Sequence, residues 1–448
     1  MERRPTGVTR QNWPQVVTDQ GLTYWKTVLP SGETRSYWSE SAHYAFSAAE
    51  VEQMEADQVT LMEMFVAAGD YMLTHPEVTD KMGIPRWCLP MIRATWDRPD
   101  GKDWGSVYGR IDVVYGGNRM LDMTTTDLQD YADPALGRIR LYEFNADTPT
   151  SALETVLQWP WFEATKQGDD QWNSFYEALV DAWRRNLAEA EAHLGHKPVV
   201  HFACSLEDNL LPELSDMQPE ISVEDCSYED LQNLRILQQA CTDAGYETRW
   251  LYVEKIHLGE DGRFYDGTTG VAGDHLDVVF KLYPWEHMVE EEFGRAVFED
   301  MARPGGTVWI EPPYKMLWSN KGLLPVLWQL FGDDPERSPL LIPAWFDGEQ
   351  PEGLTTFVRK PILSREGANV TVVIDGETVL DTPGIYDGPK VVQAYAPAPN
   401  FPGYDGTDNY PTIGLWYVDG EPAGLDVREN NTVVVDNLSV FVPHVIRD

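Results

Sequence analysis

Apolar and polar positions alternate along this chain with two periods, and the switches between them outline its elements. From "SYWSESAHYAFSAAEVEQME" onward, Val51, Met54, Leu61, Phe65, Ala68 and Met72 form the stripe of a long amphipathic helix. Ser47, with Glu50 three residues later, predicts a capping box at its start. Period two takes over in "YGRIDVVYGG" and "RIRLYEFNADT", which predict two strands separated by a polar connection. A helical stretch rich in Trp, Ala, Glu and Leu is expected at 169–194. "KPVVHFACS", "YEDLQNLRILQQACTDAGYE" and "TRWLYVEKI" then read as strand, helix and strand, the order of a small α/β unit with a parallel sheet. The last third, from "LDVVFKLYPWEHM" to "NTVVVDNLSVFVPHVI", mixes strands, Gly/Pro turns and short helices such as "NKGLLPVLWQLFG", and predicts an α+β arrangement. There is no internal repeat. The Asp/Pro-rich stretches near 133–137 and 332–339 read as loops.

The strand period also decides which side chains can meet. Arg110 and Asp112 share one face of their strand, with Ile111, Val113 and Tyr115 on the other. Glu143 and Asn145 share a face opposite Tyr142 and Phe144. If the two strands pair, Asp112, Glu143 and Asn145 converge as oxygen ligands beside an arginine, a set suited to Mg²⁺ and phosphate. An Arg–carboxylate ion pair on a solvated hairpin fits the same spacing. Lys281, mid-strand among apolar neighbours, needs an anionic partner if it is buried. Lys321 precedes an apolar helical segment. Lys360 ends a strand before a loop carrying Arg365, Gly367 and Asn369, where basic groups and open backbone suit a phosphate. Each lysine taken singly also fits an ordinary surface residue. Neither a Walker A motif nor GxGxxG occurs.

Composition narrows the partners. The 448 residues suffice for two or three compact units. The net charge of −39 disfavours nucleic acid and anionic membranes and attracts cations, although a solubility or high-salt adaptation of the whole surface accounts for it as well. No apolar run is long enough to span a membrane, and "MERRPTGVTRQNWPQ" has no apolar core for a signal peptide, so a cytoplasmic protein is expected. Cys88, Cys204, Cys226 and Cys241 show no CxxC spacing, which argues against a zinc site or a disulfide framework and for buried thiols.

The pieces "YGRID", "LYEFNADTPTS", "FKLYPWE", "SNKGLLPVLWQLF", "KPILSREGAN" and "VVQAY", in this order, resemble the synthetase part of the glutathionylspermidine synthase family. The resemblance implies an ATP-grasp-like fold with a small preceding α/β (pre-ATP-grasp) unit and helical N-terminal elements. The corresponding parts are 1–195 with the metal-binding strand pair, 196–275 as the small unit, and 276–448 for nucleotide binding. It implies ATP and Mg²⁺ as cofactors, with Asp112, Glu143 and Asn145 on the metal. Arg110 would contact the substrate carboxylate and its phosphorylated form, and Lys281 would offset developing charge. Lys281, Lys321, Lys360 and Arg365 would contact ATP, with Gln393, Ala394 and Tyr395 beside adenine. Thr148 would contact the peptide-like substrate, and Glu229 and Asp230 resemble an acidic pair that holds a polyamine. Two departures stand out: about twenty extra residues at 116–138 between the metal strands, and Ser364 in the lid sequence "SREG" where the family often has Gly. The second leaves the lid cation open, with Lys390 a positional candidate. About a hundred residues precede "YGRID", too few for the family's amidase, so a ligase without hydrolase is expected.

Three functions compete at this stage. The first is a ligase joining a carboxylate and an amine, both small molecules, through an acyl phosphate. The second is a non-catalytic nucleotide-binding or scaffold protein derived from the same fold. The third is a glycoside hydrolase, suggested by 17 Trp and abundant carboxylates, which leaves the lysines and Asn145 unexplained.

Overall fold

A computed structural model describes residues 1–28, 34–97, 105–116, 138–205, 223–365, 367–403, 406–436 and 438–447, with backbone alone for 119–121, 128–130 and 223–228. It is a mixed α/β protein with two five-stranded antiparallel sheets and a four-stranded parallel sheet, and residues of the antiparallel sheets line a cavity.

The central sheet has the order Val440–Phe441, Glu421–Asn430, Tyr410–Val418, Tyr108–Tyr115, Ile139–Asn145. Its neighbours are all antiparallel. Every residue of Tyr108–Tyr115 is buried, because both faces of the strand are covered. One face packs Ile111 and Val113 into the main apolar core with Phe65, Phe144 and Leu415. The other carries polar groups inward. The second antiparallel sheet has the order Ala344–Phe346, Lys390–Ala394, Phe357–Pro361, Thr371–Ile374, Glu377–Asp381.

The expected α/β unit is present. Val199–Cys204, the helix Val223–Asp243 and Glu247–Tyr252 form a parallel pair. The sheet then continues past residue 275 into Val278–Leu282 and Val308–Ile310. The central sheet likewise draws strands from both ends of the chain. Chain order and spatial order therefore differ, which strand periodicity does not encode.

The helix Ala48–Thr74 starts at the predicted capping box, with Ser47 and Glu50 exchanging both bonds, and buries the predicted stripe. Gly69, in its last third, lets the Trp96 ring lie against the helix where a Cβ would collide with it. The expected helix at 169–194 begins at Phe175. Cys88, Cys204 and Cys241 are buried free thiols; the side chain of Cys226 and most of the 116–138 connection lie outside the described residues. Among the described residues no helix is long and apolar enough to cross a membrane.

Candidate functional site

The two predicted metal strands pair as expected. Arg110 stands opposite Asn145 and Asp112 opposite Glu143, with a bulge just after Asp112. Directly opposed residues share a face, so the four polar side chains gather on the side away from Ile111 and Phe144. Asp112 is nearly enclosed. Its Oδ1 accepts Arg110 Nε at 2.7 Å, and its Oδ2 accepts Arg110 Nη2 at 3.1 Å, Asn145 Nδ2 at 3.0 Å and Arg428 Nη2 at 2.8 Å. Arg110 is also anchored from behind, donating from Nη1 to the Thr150 carbonyl at 2.6 Å. Glu143 pairs with Lys321 Nζ at 2.9 Å and accepts from Asn145 Nδ2 at 3.4 Å.

Electrostatics follow from this crowding. Burial disfavours charge on Glu143, but the lysines at 321 and 360 outweigh it and pull the carboxyl down to about 2. Burial pulls Lys360 down to about 8, with Lys321 adding to the shift and Glu143 opposing it. Lys360 donates to the Tyr142 carbonyl at 3.1 Å and Gln393 to the Leu141 carbonyl at 3.2 Å, which docks the second sheet against the Ile139–Asn145 strand.

These groups line a cavity of about 310 Å³. Arg110, Asp112, Glu143, Asn145, Lys321, Lys360, Gln393, Ala394 and Tyr395 line it, as do Thr148, Glu229, Asp230 and Arg365. Of the predicted site residues, Lys281 does not reach the wall. It is buried one layer back, with Nζ 2.7 Å from Asp147 Oδ1 and 4.5 Å from the centre of the Trp285 ring. This supplies the anionic partner that a mid-strand lysine requires, and it also holds the loop after Asn145. Asp147 Oδ2 accepts Trp285 N–H at 2.8 Å. Burial disfavours charge on both members of this pair, raising Asp147 and lowering Lys281, while each partner's charge opposes the shift.

The cavity is polarised. Arg110, Arg428, Lys321 and Lys360 surround Asp112 and Glu143 and outnumber them. Elsewhere on the wall stand Glu229, Asp230, Glu286 and Asp147. Arg365 reaches this acidic region: its Nη2 donates to Thr148 Oγ1 at 3.0 Å, Glu286 lies 3.6 Å away, and Asp230 and Asp147 act on its charge. The loop that carries it is tied down where Lys321 donates to the Ser364 carbonyl at 2.6 Å. Lys390 begins a strand and is absent from the cavity wall, whereas Arg365 lines it.

The oxygens of Asp112, Glu143 and Asn145 have the chemistry a hard cation prefers, but in this arrangement Arg110, Arg428, Lys321 and the Asn145 amide nitrogen engage the two carboxylates. Among the described residues no group of three or more His, Cys, Asp or Glu is arranged to hold a metal ion. The three residues fit a magnesium site of two carboxylates and one amide, provided that the neighbouring cations give way or find other anions.

Arg428, Asp426, Asp147 and Glu286 were missed by sequence reading. The alternation in "GLDVREN" puts Asp426 and Arg428 on one face of a strand, yet nothing local shows that this strand lies two places from Asp112.

The family described as "Glutathionylspermidine synthase preATP-grasp" matches residues 4–447. A Haemophilus influenzae protein named "Putative acid--amine ligase" is 29% identical over 464 residues, covering 99% of each chain. The "Bifunctional glutathionylspermidine synthetase/amidase" of Escherichia coli is 23% identical over 91% of this chain and 60% of its own. The "Trypanothione synthetase" of Crithidia fasciculata is 23% identical over 85% of this chain and 53% of its own. The chain thus spans little more than half of these two longer relatives. It belongs to the glutathionylspermidine synthase family.

Proposed function

We propose that this protein is an ATP- and Mg²⁺-dependent ligase of the ATP-grasp type, which joins a peptide-like carboxylate to an amine through an acyl phosphate. The observation that carries this reading is the polarised cavity. Its basic cluster suits phosphates and a carboxylate, and its acidic wall suits a protonated amine. A scaffold has no need of both.

In this reading the Gln393–Tyr395 segment receives adenine, and Lys321 and Lys360 receive the phosphates. Asp112, Glu143 and Asn145 hold magnesium, which when bound neutralises phosphate charge and fixes the geometry of transfer. Arg110 orients the substrate carboxylate, whose oxygen attacks the γ-phosphorus and releases ADP. Thr148, Glu229 and Asp230 present the second substrate. A neutral amino group of that substrate attacks the acyl carbon, the bond to phosphate breaks, phosphate leaves, the nitrogen gives up a proton to solvent, and an amide remains. Lys281 acts from behind by holding Asp147 and the loop in place. No enzyme nucleophile is required, so rate enhancement comes from positioning and charge. Tying down the Ser364–Arg365 loop keeps water from the acyl phosphate. A cytoplasmic enzyme fits the same reading.

The test is ADP release with MgATP, against glutathione, short peptides and amino acids crossed with polyamines, with mass spectrometry of the products. Amine-dependent ADP release with a condensed product is expected, reduced about a hundredfold or more in Asp112→Ala. MgATP binding without ADP formation for any pair would favour the scaffold. Failure to bind MgATP would end the nucleotide reading.

A further inference from the structure

A buried carboxylate that the proposed reaction does not use lies behind the basic cluster. Asp426 is fully buried on the strand Glu421–Asn430, opposite Gly414, which in turn stands opposite Asp112. The missing side chain of Gly414 creates its space: a Cβ there would collide with Asp426 Oδ1 and with Arg110 Cδ. Neither oxygen of Asp426 has a hydrogen-bond partner among the described residues. An unpaired buried carboxylate costs several kcal/mol by general experience, so its presence calls for a state in which it is paired.

Two residues along, on the same face, stands Arg428. Its Nε is also buried and unpaired, and its one side-chain hydrogen bond among the described residues runs from Nη2 to Asp112 Oδ2. A donor without an acceptor therefore neighbours an acceptor without a donor. Arg110 differs in being fixed from both sides, by Asp112 and by the Thr150 carbonyl. Asp112 Oδ2 already accepts from three nitrogens and has no room for a cation until one of them leaves. Arg428 is the one least tied down.

We propose that Asp426 is a positioning residue that takes Arg428 off Asp112 when a divalent cation arrives with the nucleotide. Arg428 turns so that Nε and one Nη face Asp426, Asp112 Oδ2 becomes available as a ligand, and the guanidinium charge is compensated away from the cation. This rests on the ligase reading above. It adds that metal loading is coupled to an arginine handed from one aspartate to another, and that the nucleotide-free enzyme keeps its metal ligands masked.

The experiment uses the full chain and ATP alone, without carboxylate or amine, comparing affinity in Mg²⁺ with affinity in EDTA by calorimetric titration. In the wild type Mg²⁺ is expected to tighten ATP binding about tenfold or more, and in Asp426→Asn by less than about twofold, with affinity in EDTA kept. Removing the displaced arginine as well, in Asp426→Asn/Arg428→Gln, is expected to restore the Mg²⁺ effect, a rescue that a merely structural aspartate would not show. If Asp426→Asn does not fold, Arg428→Gln alone decides: the Mg²⁺ effect should exceed that of the wild type, and an unchanged or smaller effect overturns the proposal. A full Mg²⁺ effect in folded Asp426→Asn overturns it while leaving the ligase reading intact. A wild type that binds ATP equally with and without Mg²⁺ overturns both.

Discussion

At the scale of single residues, this site is governed by how few anions must serve many cations. Asp112 and Glu143 between them engage Arg110, Arg428 and Lys321, and the lysine at 360 is pulled toward neutrality nearby. Asp426 shows what such packing costs. Burial raises its carboxyl from the usual range to about 7, with Asp112 and Glu154 adding to the shift and Arg110 and Arg428 opposing it. The folded protein thus holds that proton more tightly than the unfolded chain does. Stability is greatest while Asp426 is neutral in both states and falls as pH rises from about 4 to about 7, after which the penalty is constant. Relative to wild type, Asp426→Asn should gain stability across that window, on the order of 4 kcal/mol between its two ends. Urea unfolding of both proteins at several pH values checks this; a difference that does not change with pH would contradict it. Sequence alternation put Asp426 beside Arg428 in "GLDVREN", but the absence of hydrogen bonds that makes the residue informative belongs to its tertiary surroundings.

At the scale of elements, the long helix and the lid loop behave differently. The helix is secured locally by its capping box and by its stripe, both legible in the sequence. Another constraint is not: Gly69 is needed because the ring of Trp96, 27 residues later, occupies the place of a Cβ there, and the indole donates to Asp70 at 2.9 Å. Gly69→Ala would normally strengthen a helix, yet here it should destabilise the protein by about 1–3 kcal/mol, because the indole cannot yield without losing its contacts. A lower urea midpoint with unchanged slope is the expected result. The Ser364–Arg365 loop is held by Lys321 at its backbone and by Thr148 and Glu286 at its tip. Arg365→Ala should therefore increase amide exchange over 363–369 severalfold without changing exchange in the central sheet. Equal protection in both proteins would mean that the backbone tie suffices.

At the scale of the whole molecule, a net charge of −39 surrounds a cavity whose one end is basic. Self-repulsion of that surface predicts a melting temperature that rises by several degrees when NaCl is increased from about 0.05 to about 1 M, as screening shortens the range of the field. Nucleotide affinity should fall over the same range, since the basic cluster is screened as well, and measuring both in one salt series separates the effects. The sequence by itself determined what depends on near neighbours. The capped helix, the strand–helix–strand order of 199–252, the faces on which Arg110, Asp112, Glu143 and Asn145 point, and the need of Lys281 for an anion all follow from the local pattern of residues. The tertiary structure alone decided which strands lie side by side. Residues 413–418 were brought against 108–113 and 421–430 against 410–418, Arg428 was placed on Asp112 and Asp147 beneath Lys281. Those pairings depend on how distant apolar faces bury one another, and side-chain periodicity along one strand carries no record of its neighbour.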